Sequence, residues 1–538
     1  MYQDRLNSRE KSNTGFSRSR GTWLRLAVVI GAFVAAAAMS AGAQVATINV
    51  QTHPLGAEIP RDFLGFSLEV STAGQGLKAF TAGKTASAAA QEQGVYALGH
   101  PGAPDRGYFN FMRDLGPGVL RLGGNSQDNS CWDRDHAPHP NECQAALTAG
   151  DFRLFSEAAV ASGWRLILGI NLKQNSPQWA LGEVTQGIAR NIKPAYIFGL
   201  EIGNEPDLFR RGGRPASYSP SDHVKDVLGY VDAFRANTVA RRYAVMGPAT
   251  CCGWRNPRDL GVFIDGVGAK NLKLVTVHNY SATTCGNRTV TIQQLLAPEL
   301  MDRFNTRAES LVAAARSRGV PIAMAETNSA SCGGMPGVSN AFAASVWGLD
   351  YMFSLARDGF RYVNLHSSYR PGGGSSYNPI DTYGTQGSSS HWTYRNVAEP
   401  LYDAMYLFAH NASGGRLLPA SITTESNILA DAVSACAGCA VKVFVINKDL
   451  TASGDVRVHF SAPMGPAKLL LLAAPSLSSL APEVRYGGVQ FDSNGRLPAP
   501  HLTSVRRGAN GDYTFRLPNA SAAVLTVAPR NGRGQAQR

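Results

Sequence analysis

The sequence lacks the features that mark disordered, membrane-spanning and repeat proteins. Only 17% of its 538 residues are charged and 44% are hydrophobic, a balance that fits a globular protein with a sizeable core. After residue 43 no apolar stretch reaches the ~20 residues that a transmembrane helix needs. No internal repeat is present. The chain is too long for one ordinary domain and suits a barrel with a smaller partner domain.

Signatures of nucleic-acid binding are missing too. The formal net charge is +12, but the basic residues are scattered and form no RNA-binding or helix-turn-helix motif. This charge suits an acidic polymer as partner, and a basic surface that only keeps the protein in solution is the alternative. We therefore expect no nucleic-acid partner.

The first 43 residues have the pattern of a signal peptide. A basic start leads into an apolar run at 26–39, and Ala41, Gly42 and Ala43 then form a small-x-small cleavage site. An uncleaved membrane anchor is the alternative, but the run is short for a full span. We predict a signal peptide at 1–43, a secreted or periplasmic protein, and no stable membrane association after cleavage.

Zinc-site spacing is absent among the cysteines. Cys436 and Cys439 stand as a zinc-binding pair would, but no second pair has ligand spacing, so neither a metal nor a cofactor is predicted. Eight cysteines in an exported chain instead indicate disulfides. Cys131 and Cys143 can close a loop, and Cys436 with Cys439 can bridge a tight turn. The other four fall near predicted strand ends, at Cys251, Cys252, Cys285 and Cys332. The pairing of all eight stays open, because eight cysteines allow 105 connectivities.

What the sequence does contain is a series of apolar, β-forming stretches that alternate with helical patterns. Eight such strands predict an α/β fold, a (β/α)8 TIM barrel over 59–411. The predicted barrel strands are 63–69, 118–125, 164–171, the stretch 196–206 that Pro206 terminates, 243–247, 272–280, 320–326 and 360–366. The predicted helices include 109–115, 151–162, 221–240, 301–318 and 397–410.

The hydrophobic pattern of the sequence changes after about residue 412. Short alternating runs separated by Gly, Pro and Asn turns predict a C-terminal all-β sandwich over 412–538. An alternating strand at 45–53 precedes the barrel and is expected to complete this sandwich, so residues 44–58 are assigned to it.

Two strands deliver a carboxyl group to the end of the barrel where chemistry occurs. The run from Tyr196 to Pro206 places Asn204 and Glu205 after an apolar strand, and 320–326 ends in Glu326. Hydrolysis of a glycoside with retention needs one carboxylic acid and one carboxylate nucleophile across the sugar. Glu205, in an apolar context, is the better acid, whereas Glu326 is followed by polar donors that would keep it ionised. A surface or salt-bridged carboxyl is the ordinary fate of a single glutamate, but this pairing is specific.

The motifs around the two glutamates resemble glycoside hydrolase family 79, which contains heparanases and exo-acting β-glucuronidases. They read Gly-Leu-Glu-Ile-Gly-Asn-Glu-Pro at 199–206 and Ala-Glu-Thr-Asn-Ser-Ala-Ser-Cys-Gly-Gly at 325–334. The resemblance covers the chain from about residue 46 to its C-terminus. It implies that Glu205 is the acid/base and Glu326 the nucleophile of a retaining exo-β-glucuronidase.

The same resemblance assigns substrate-binding roles around the pair. Asn204 would contact the sugar 2-hydroxyl, Tyr280 would steady the nucleophile, and Glu69 would bind sugar hydroxyls. The glucuronate carboxylate would be received by the N–H groups of two glycines and by a phenol, since backbone N–H groups can bind an anion without a buried arginine. These three carboxylate-binding residues are Gly333, Gly334 and Tyr377. Two weaker pocket candidates stand at the ends of strands two and eight, Asn125 and His366.

Alternatives to the interpretation as an exo-β-glucuronidase stay open. Cys332 stands where some members of the family carry an aromatic residue, and the stretches at 71–105 and 370–392 are longer than a minimal barrel needs. Loops decide between a closed pocket with exo action and an open groove with endo action, so an endo-acting heparanase is the main alternative. A barrel glycosidase for neutral sugars and a non-catalytic carbohydrate-binding barrel are less favoured.

Overall fold

The computed structural model of the chain describes residues 43–73, 97–100, 102–133, 143, 145–370, 373–386 and 392–530. The predicted signal peptide lies outside these residues except for its last position. Parts of the two long stretches at 71–105 and 370–392 lie outside them as well. Among the described helices, none has the length and apolarity that a bilayer crossing requires.

Eight parallel strands close into a barrel, and each pairs with the next along the chain until the eighth pairs with the first. They are Leu64–Glu69, Val119–Gly123, Arg165–Ile170, Ile197–Ile202, Val245–Thr250, Leu272–Thr283, Ile322–Ser331 and Val363–Ser367. All lie within or overlap the predicted strands, so the TIM barrel is confirmed. Apolar side chains such as Ile167, Phe198 and Met246 form a separate cluster that fills the barrel interior.

Helices cover the outer face of the barrel, and local sequence sets their ends. Ser219 caps one helix by accepting from the N–H of Asp222, whose carboxylate binds back to Ser219, and Pro220 takes the first helical position. The α-helices are Val70–Ala73, Arg106–Asp114, Ala149–Ser162, Pro177–Gly182, Ala189–Asn191, Pro220–Ala236, Pro257–Val267, Ile292–Leu296, Pro298–Arg316, Phe342–Asp358 and Pro400–Asn411. Short 3-10 turns lie at Gln127–Asn129, Pro194–Tyr196, Pro206–Arg211, Ala240–Arg242, Ala269–Asn271 and Ala481–Glu483, and Glu183–Ile188 forms a π-helix.

Two sheets form the sandwich, and their facing side chains make a core of their own. The first contains, in spatial order, Ala420–Thr423, Gln44–Val50, Gly454–Phe460 and Tyr513–Leu517. The second contains Arg416–Leu418, Ile428–Ser434, Val441–Asn447, Ser521–Pro529, Met464–Ala473, Arg485–Tyr486 and Thr503–Val505. The N-terminal strand therefore completes the C-terminal sandwich, as predicted. The boundaries proposed for the two domains stay predictions.

One helix joins the barrel to the sandwich. Phe342–Asp358 is buried along nearly its whole length. Phe353 packs edge-on against Phe444 of the sandwich at 4.7 Å, and Asp350 accepts a hydrogen bond from Lys448 at 2.6 Å. The two layers thus share one continuous core through this helix.

Several predicted boundaries were wrong. The sixth and seventh barrel strands run past Tyr280 and Glu326, because residues 279–283 continue to pair with residues 327–331 above the barrel rim. The last helix begins at Pro400 and not at residue 397, because Trp392–Ala398 is a strand paired with Ile380–Gln386.

Further short strands lie in the loops at the carboxyl ends of the barrel strands. They pair Gly99–His100 with Ala103–Pro104, Ser130–Trp132 with Ala145–Leu147, and Tyr369–Arg370 with Gly373–Gly374. These pairs give the loops above the barrel a framework of backbone hydrogen bonds.

All eight cysteines are paired. The two bridges named as possible from the sequence, Cys131–Cys143 and Cys436–Cys439, are both present. The other two bridges are Cys285–Cys332, which ties the extended sixth and seventh strands together, and Cys251–Cys252, a bond between adjacent residues.

Candidate active site

The two predicted glutamates face each other at the carboxyl end of the barrel. Glu326 lies on the seventh strand, and Glu205 lies three residues after the fourth strand, with φ 50° and ψ 51°. A carboxylate oxygen of each and a ring nitrogen of His278 all lie within 4.8 Å of one another. The two carboxyl groups are therefore close enough to act on one small molecule from two sides.

A fully buried arginine organises the floor of this site. Arg121 of the second strand donates from Nη1 to Glu326 Oε2 at 2.8 Å and from Nη2 to Asn204 Oδ1 at 2.8 Å. Its Nε donates to Glu201 at 2.5 Å, and its Nη1 also reaches Ser67 at 3.0 Å. One guanidinium on the second strand thus binds side chains of the first, fourth and seventh strands and Asn204 after the fourth, since its planar fork can serve several acceptors at once.

The environment of Glu326 favours its ionised form. Burial alone would raise its pKa, but the charges of His366, His278 and Arg121 outweigh burial and lower the pKa well below its ordinary value. Tyr280 adds to this effect by donating its phenol proton to Glu326 Oε1 at 2.9 Å. Glu326 is therefore held as a carboxylate that accepts from two sides.

The environment of Glu205 favours its protonated form. Burial raises the pKa of Glu205, and the negative charges of Glu326 and Asp207 raise it further, against a hydrogen bond with His278 that lowers it. His278 Nδ1 lies 3.1 Å from Glu205 Oε1 and 3.9 Å from Glu326 Oε2. The pair thus consists of one carboxylic acid and one carboxylate, separated in pKa by their surroundings.

The residues predicted to bind a sugar carboxylate lie together beside Glu326. Tyr377 is buried, and its ring lies 6.1 Å from that of Tyr280 and 6.0 Å from that of His366. Gly334 has φ 78°, and a Cβ on it would stand 3.0 Å from the backbone nitrogen of Tyr377, so glycine allows the two segments to approach. Gly333, with φ 95°, continues the same turn.

Glu69 and Asn125 lie where the first and second strands end, next to the eighth strand. Glu69 accepts from the backbone N–H of Asn125 at 3.0 Å and from Ser126 at its N–H and hydroxyl. Gly124, with φ 73°, gives this carboxylate room, because a Cβ there would lie 2.5 Å from the Glu69 carboxyl carbon. His366 stands between the two acidic groups, 3.8 Å from both Glu69 and Glu326.

Asn204 is fixed through both its backbone and its side chain. Its N–H donates to Asp128 at 2.7 Å, and its side-chain oxygen accepts from Arg121. Asp128 also accepts from the N–H groups of Leu172 and Lys173, and burial raises its pKa to about 6. Because Arg121 binds the side-chain oxygen of Asn204, the side-chain amide nitrogen is the group that Asn204 can offer to a ligand.

The structure thus brings all ten predicted site residues to one end of the barrel. Sequence reasoning missed Arg121, Glu201, His278 and Asp128. A signal existed for the first two, because each is the single charged residue within an otherwise apolar barrel strand. A buried charge in such a strand must be paired, and the two are indeed paired with each other.

Two groups of side chains have the donor spacing of a metal site, and neither fits one well. In the group of Asp207, Cys251 and Cys252 the two sulfurs are bonded to each other, so no thiolate is left to bind a cation. In the group of Glu205, His278 and Glu326, the arginine already supplies the positive charge beside Glu326. Among the described residues these are the two groups of this kind.

Curated proteins similar to this chain are described as β-glucuronidases and as a heparanase. No protein-family model matches the chain. A β-glucuronidase of Aspergillus niger is 27% identical over 314 residues, which cover 53% of this chain and 56% of that protein. A heparanase of Gallus gallus is 26% identical over 239 residues, or 44% of each chain. The chain therefore matches about half the length of these curated relatives, and its predicted resemblance to β-glucuronidases and heparanases is confirmed.

Solved structures show the same fold. A 4-O-α-L-rhamnosyl-β-D-glucuronidase from Fusarium oxysporum superposes with a TM-score of 0.68 at 17% identity, covering 89% of this chain and all of that one. A family 51 arabinofuranosidase from Xanthomonas axonopodis superposes with a TM-score of 0.63 at 13% identity, covering 90% and 99%. At these identities the likeness concerns the fold alone.

We predict that Arg121→Met destabilises the protein by about 3–5 kcal/mol, because it leaves two buried carboxylates without their cation. Adding Glu201→Gln to that variant should restore part of the loss. Denaturant titration followed by far-UV circular dichroism on both single variants and the double variant measures the coupling. Arg235→Met, at an exposed position, is the control. Additive effects of the two substitutions would contradict the paired arrangement.

Proposed function

We propose that this protein is a secreted retaining glycoside hydrolase that releases β-linked glucuronic acid from acidic glycans or glycosides. One observation carries the proposal: Glu205 and Glu326 present carboxylate oxygens within 4.8 Å of each other, with pKa values shifted in opposite directions. Retaining glycosidases hold their two carboxyl groups ~5–5.5 Å apart, whereas inverting enzymes need room for a water between them.

In the first step Glu326 attacks the anomeric carbon while Glu205 gives its proton to the leaving oxygen. Arg121 and Tyr280 each bind one oxygen of Glu326, and so orient it for attack. In the second step Glu205, now ionised, takes a proton from water, which displaces Glu326 from the sugar. His278 stands beside both carboxyl groups and supports Glu205 in its charged form.

The surroundings of the pair support a glucuronate substrate. Gly333, Gly334 and Tyr377 form a turn and a buried phenol next to the nucleophile, where N–H groups and a hydroxyl suit a carboxylate. On this proposal Glu69 and Asn204 bind the sugar hydroxyls. The curated relatives described as β-glucuronidases agree with this choice of substrate.

An endo-acting heparanase is the second candidate, because one relative is described as a heparanase. A barrel for neutral sugars is less favoured, since the two glycines and Tyr377 make an anion site. A non-catalytic carbohydrate-binding protein has no need for two carboxyl groups with opposed pKa shifts. The four disulfides suit an oxidising location, secreted or periplasmic. We propose no nucleic-acid partner and no stable membrane association.

We expect exo action on this proposal. Fast hydrolysis of an aryl β-glucuronide, with only monosaccharide released from a heparan-sulfate-type polymer, is the expected result when product size is followed over time. A polymer that shortens quickly while the aryl glucuronide stays intact would favour the heparanase instead. Hydrolysis of neither would contradict both candidates.

We predict that each glutamate variant is rescued by azide with its own stereochemistry. Glu326→Ala should lose activity by at least about a thousandfold, and azide should enter from the emptied side to give the α-glucuronosyl azide. Glu205→Ala should retain turnover of an activated aryl glucuronide, and azide should yield the β-azide. Proton NMR of the products distinguishes the two.

The same NMR experiment on the unaltered protein should show β-glucuronic acid as the first product. An α product would mean inversion and would remove the covalent step. The opposite azide stereochemistry in the two variants would reverse the roles of Glu205 and Glu326.

Tyr377→Phe should weaken glucuronide hydrolysis by about tenfold relative to the matching glucoside, because it removes one donor to the sugar carboxylate. The ratio of kcat/KM for the two aryl glycosides measures the effect. Tyr383→Phe, at a half-exposed position, is the matched control. An unchanged ratio would exclude Tyr377 from carboxylate recognition.

A further inference from the structure

The turn that carries Glu205 is held by a buried carboxylate two residues later. Asp207 has no solvent exposure, and its Oδ2 accepts from the N–H of Cys252 at 2.7 Å and of Gly253 at 2.5 Å. Its Oδ1 accepts from the N–H of Cys251 at 3.2 Å. Three successive backbone N–H groups therefore converge on one carboxylate, which is the geometry of an anion-binding nest.

The disulfide between adjacent residues shapes this nest. Cys251 and Cys252 are bonded to each other on the loop after the fifth barrel strand, with Cys251 buried and Cys252 exposed. The bond closes a small ring that includes the peptide between them and so restricts the backbone of the two N–H donors. Below, we call residues 251–253 with this bond the N–H cradle.

Glu205 itself depends on this neighbouring loop. Its φ of 50° lies in the left-handed region, which a residue with a Cβ keeps only when its surroundings hold it there. Its N–H donates to the carbonyl of Ala249 at 2.9 Å, and Asp207 binds residues 251–253 of the same segment. The strained residue is thus fastened to one loop on both sides.

We propose that Asp207 is a positioning residue for the acid/base Glu205, and that the Cys251–Cys252 disulfide keeps the N–H cradle in the form that binds it. This inference rests on the proposed function, because it assigns a part in the protonation of the leaving group. If the disulfide holds the N–H cradle in this way, reducing agents impair protonation of the leaving group by Glu205. They do not impair the attack by Glu326, because other residues orient that carboxylate.

Asp207 affects Glu205 through its negative charge as well as through its contacts with the loop. Burial raises the pKa of Glu205 most, Glu326 and Asp207 raise it further, and His278 lowers it. Tyr280 and Arg255 also interact electrostatically with Glu205. Removal of the Asp207 charge therefore lowers the pKa of Glu205, and the acid is lost at a lower pH than in the unaltered protein.

The redox step is an ordinary thiol–disulfide exchange. A dithiol reductant transfers two electrons and two protons to the Cys251–Cys252 bond, leaving two thiols, and closes to its own cyclic disulfide. The freed backbone then no longer holds its three N–H groups on one carboxylate.

Asp207→Asn tests the positioning role. We expect kcat/KM for methyl β-glucuronide, whose leaving group needs a proton, to fall at least about tenfold more than kcat/KM for 4-nitrophenyl β-glucuronide. The alkaline limb of the pH profile should move to lower pH. Equal loss on both substrates with an unmoved limb would show a merely structural role and overturn the proposal.

Cys251→Ala with Cys252→Ala tests the disulfide. This double variant should show the same leaving-group dependence as Asp207→Asn and no further response to dithiothreitol. Cys436→Ala with Cys439→Ala, which opens the exposed bridge in the sandwich, is the matched control and should behave as the unaltered protein. An unaltered leaving-group dependence in the first double variant would overturn the part assigned to the disulfide.

The two proposals fail in distinguishable ways. If the unaltered protein cleaves no glucuronide, the proposed function is wrong. If it cleaves both substrates and Asp207→Asn changes neither their ratio nor the pH profile, only the positioning role is wrong. Should the cysteine variant fail to fold, Asp207→Asn and dithiothreitol titration of the unaltered protein beside the Cys436/Cys439 control still decide the matter.

Discussion

The structure depends on one buried cation, Arg121, that four barrel strands share. A guanidinium with no access to water is costly unless its donors are satisfied, and here Glu201, Glu326, Asn204 and Ser67 satisfy them. The cost of burial is offset by binding the same groups that the site needs in fixed positions. The same arginine therefore stabilises the barrel core and orients the nucleophile, so that neither can change without the other.

The two carboxyl groups acquire opposite protonation states from different neighbours. Glu326 lies over the cation and beside two histidines, whereas Glu205 stands on a strained turn among acidic groups. The strand ends bring the two carboxyl groups close together, and the loops after the fourth and fifth strands make their pKa values differ. A barrel suits this division, because its strands are rigid and its loops can vary.

Sequence patterns predicted the strands and the two glutamates because each glutamate ends an apolar run of strand length. They did not assign Arg121 or His278 to the site: the lone charge in the second strand signals a buried, paired arginine, but an all-buried strand does not show which side chains point inward. The extension of the sixth and seventh strands was not predicted for another reason. Residues 279–283 and 327–331 are mostly polar, and only their pairing with each other makes them strands. Asp207 was hidden because its partners are backbone N–H groups of a distant loop.

The helix Phe342–Asp358 has a consequence for how the molecule can be divided. Because its apolar surface is covered on one side by the barrel and on the other by the sandwich, it has no face suited to water. Removing the sandwich would uncover Phe353 and leave Asp350 without Lys448. The β-domain is thus an outer wall of the barrel and not a detachable module, so a minimal fragment that keeps the active site must keep both the first strand and the last.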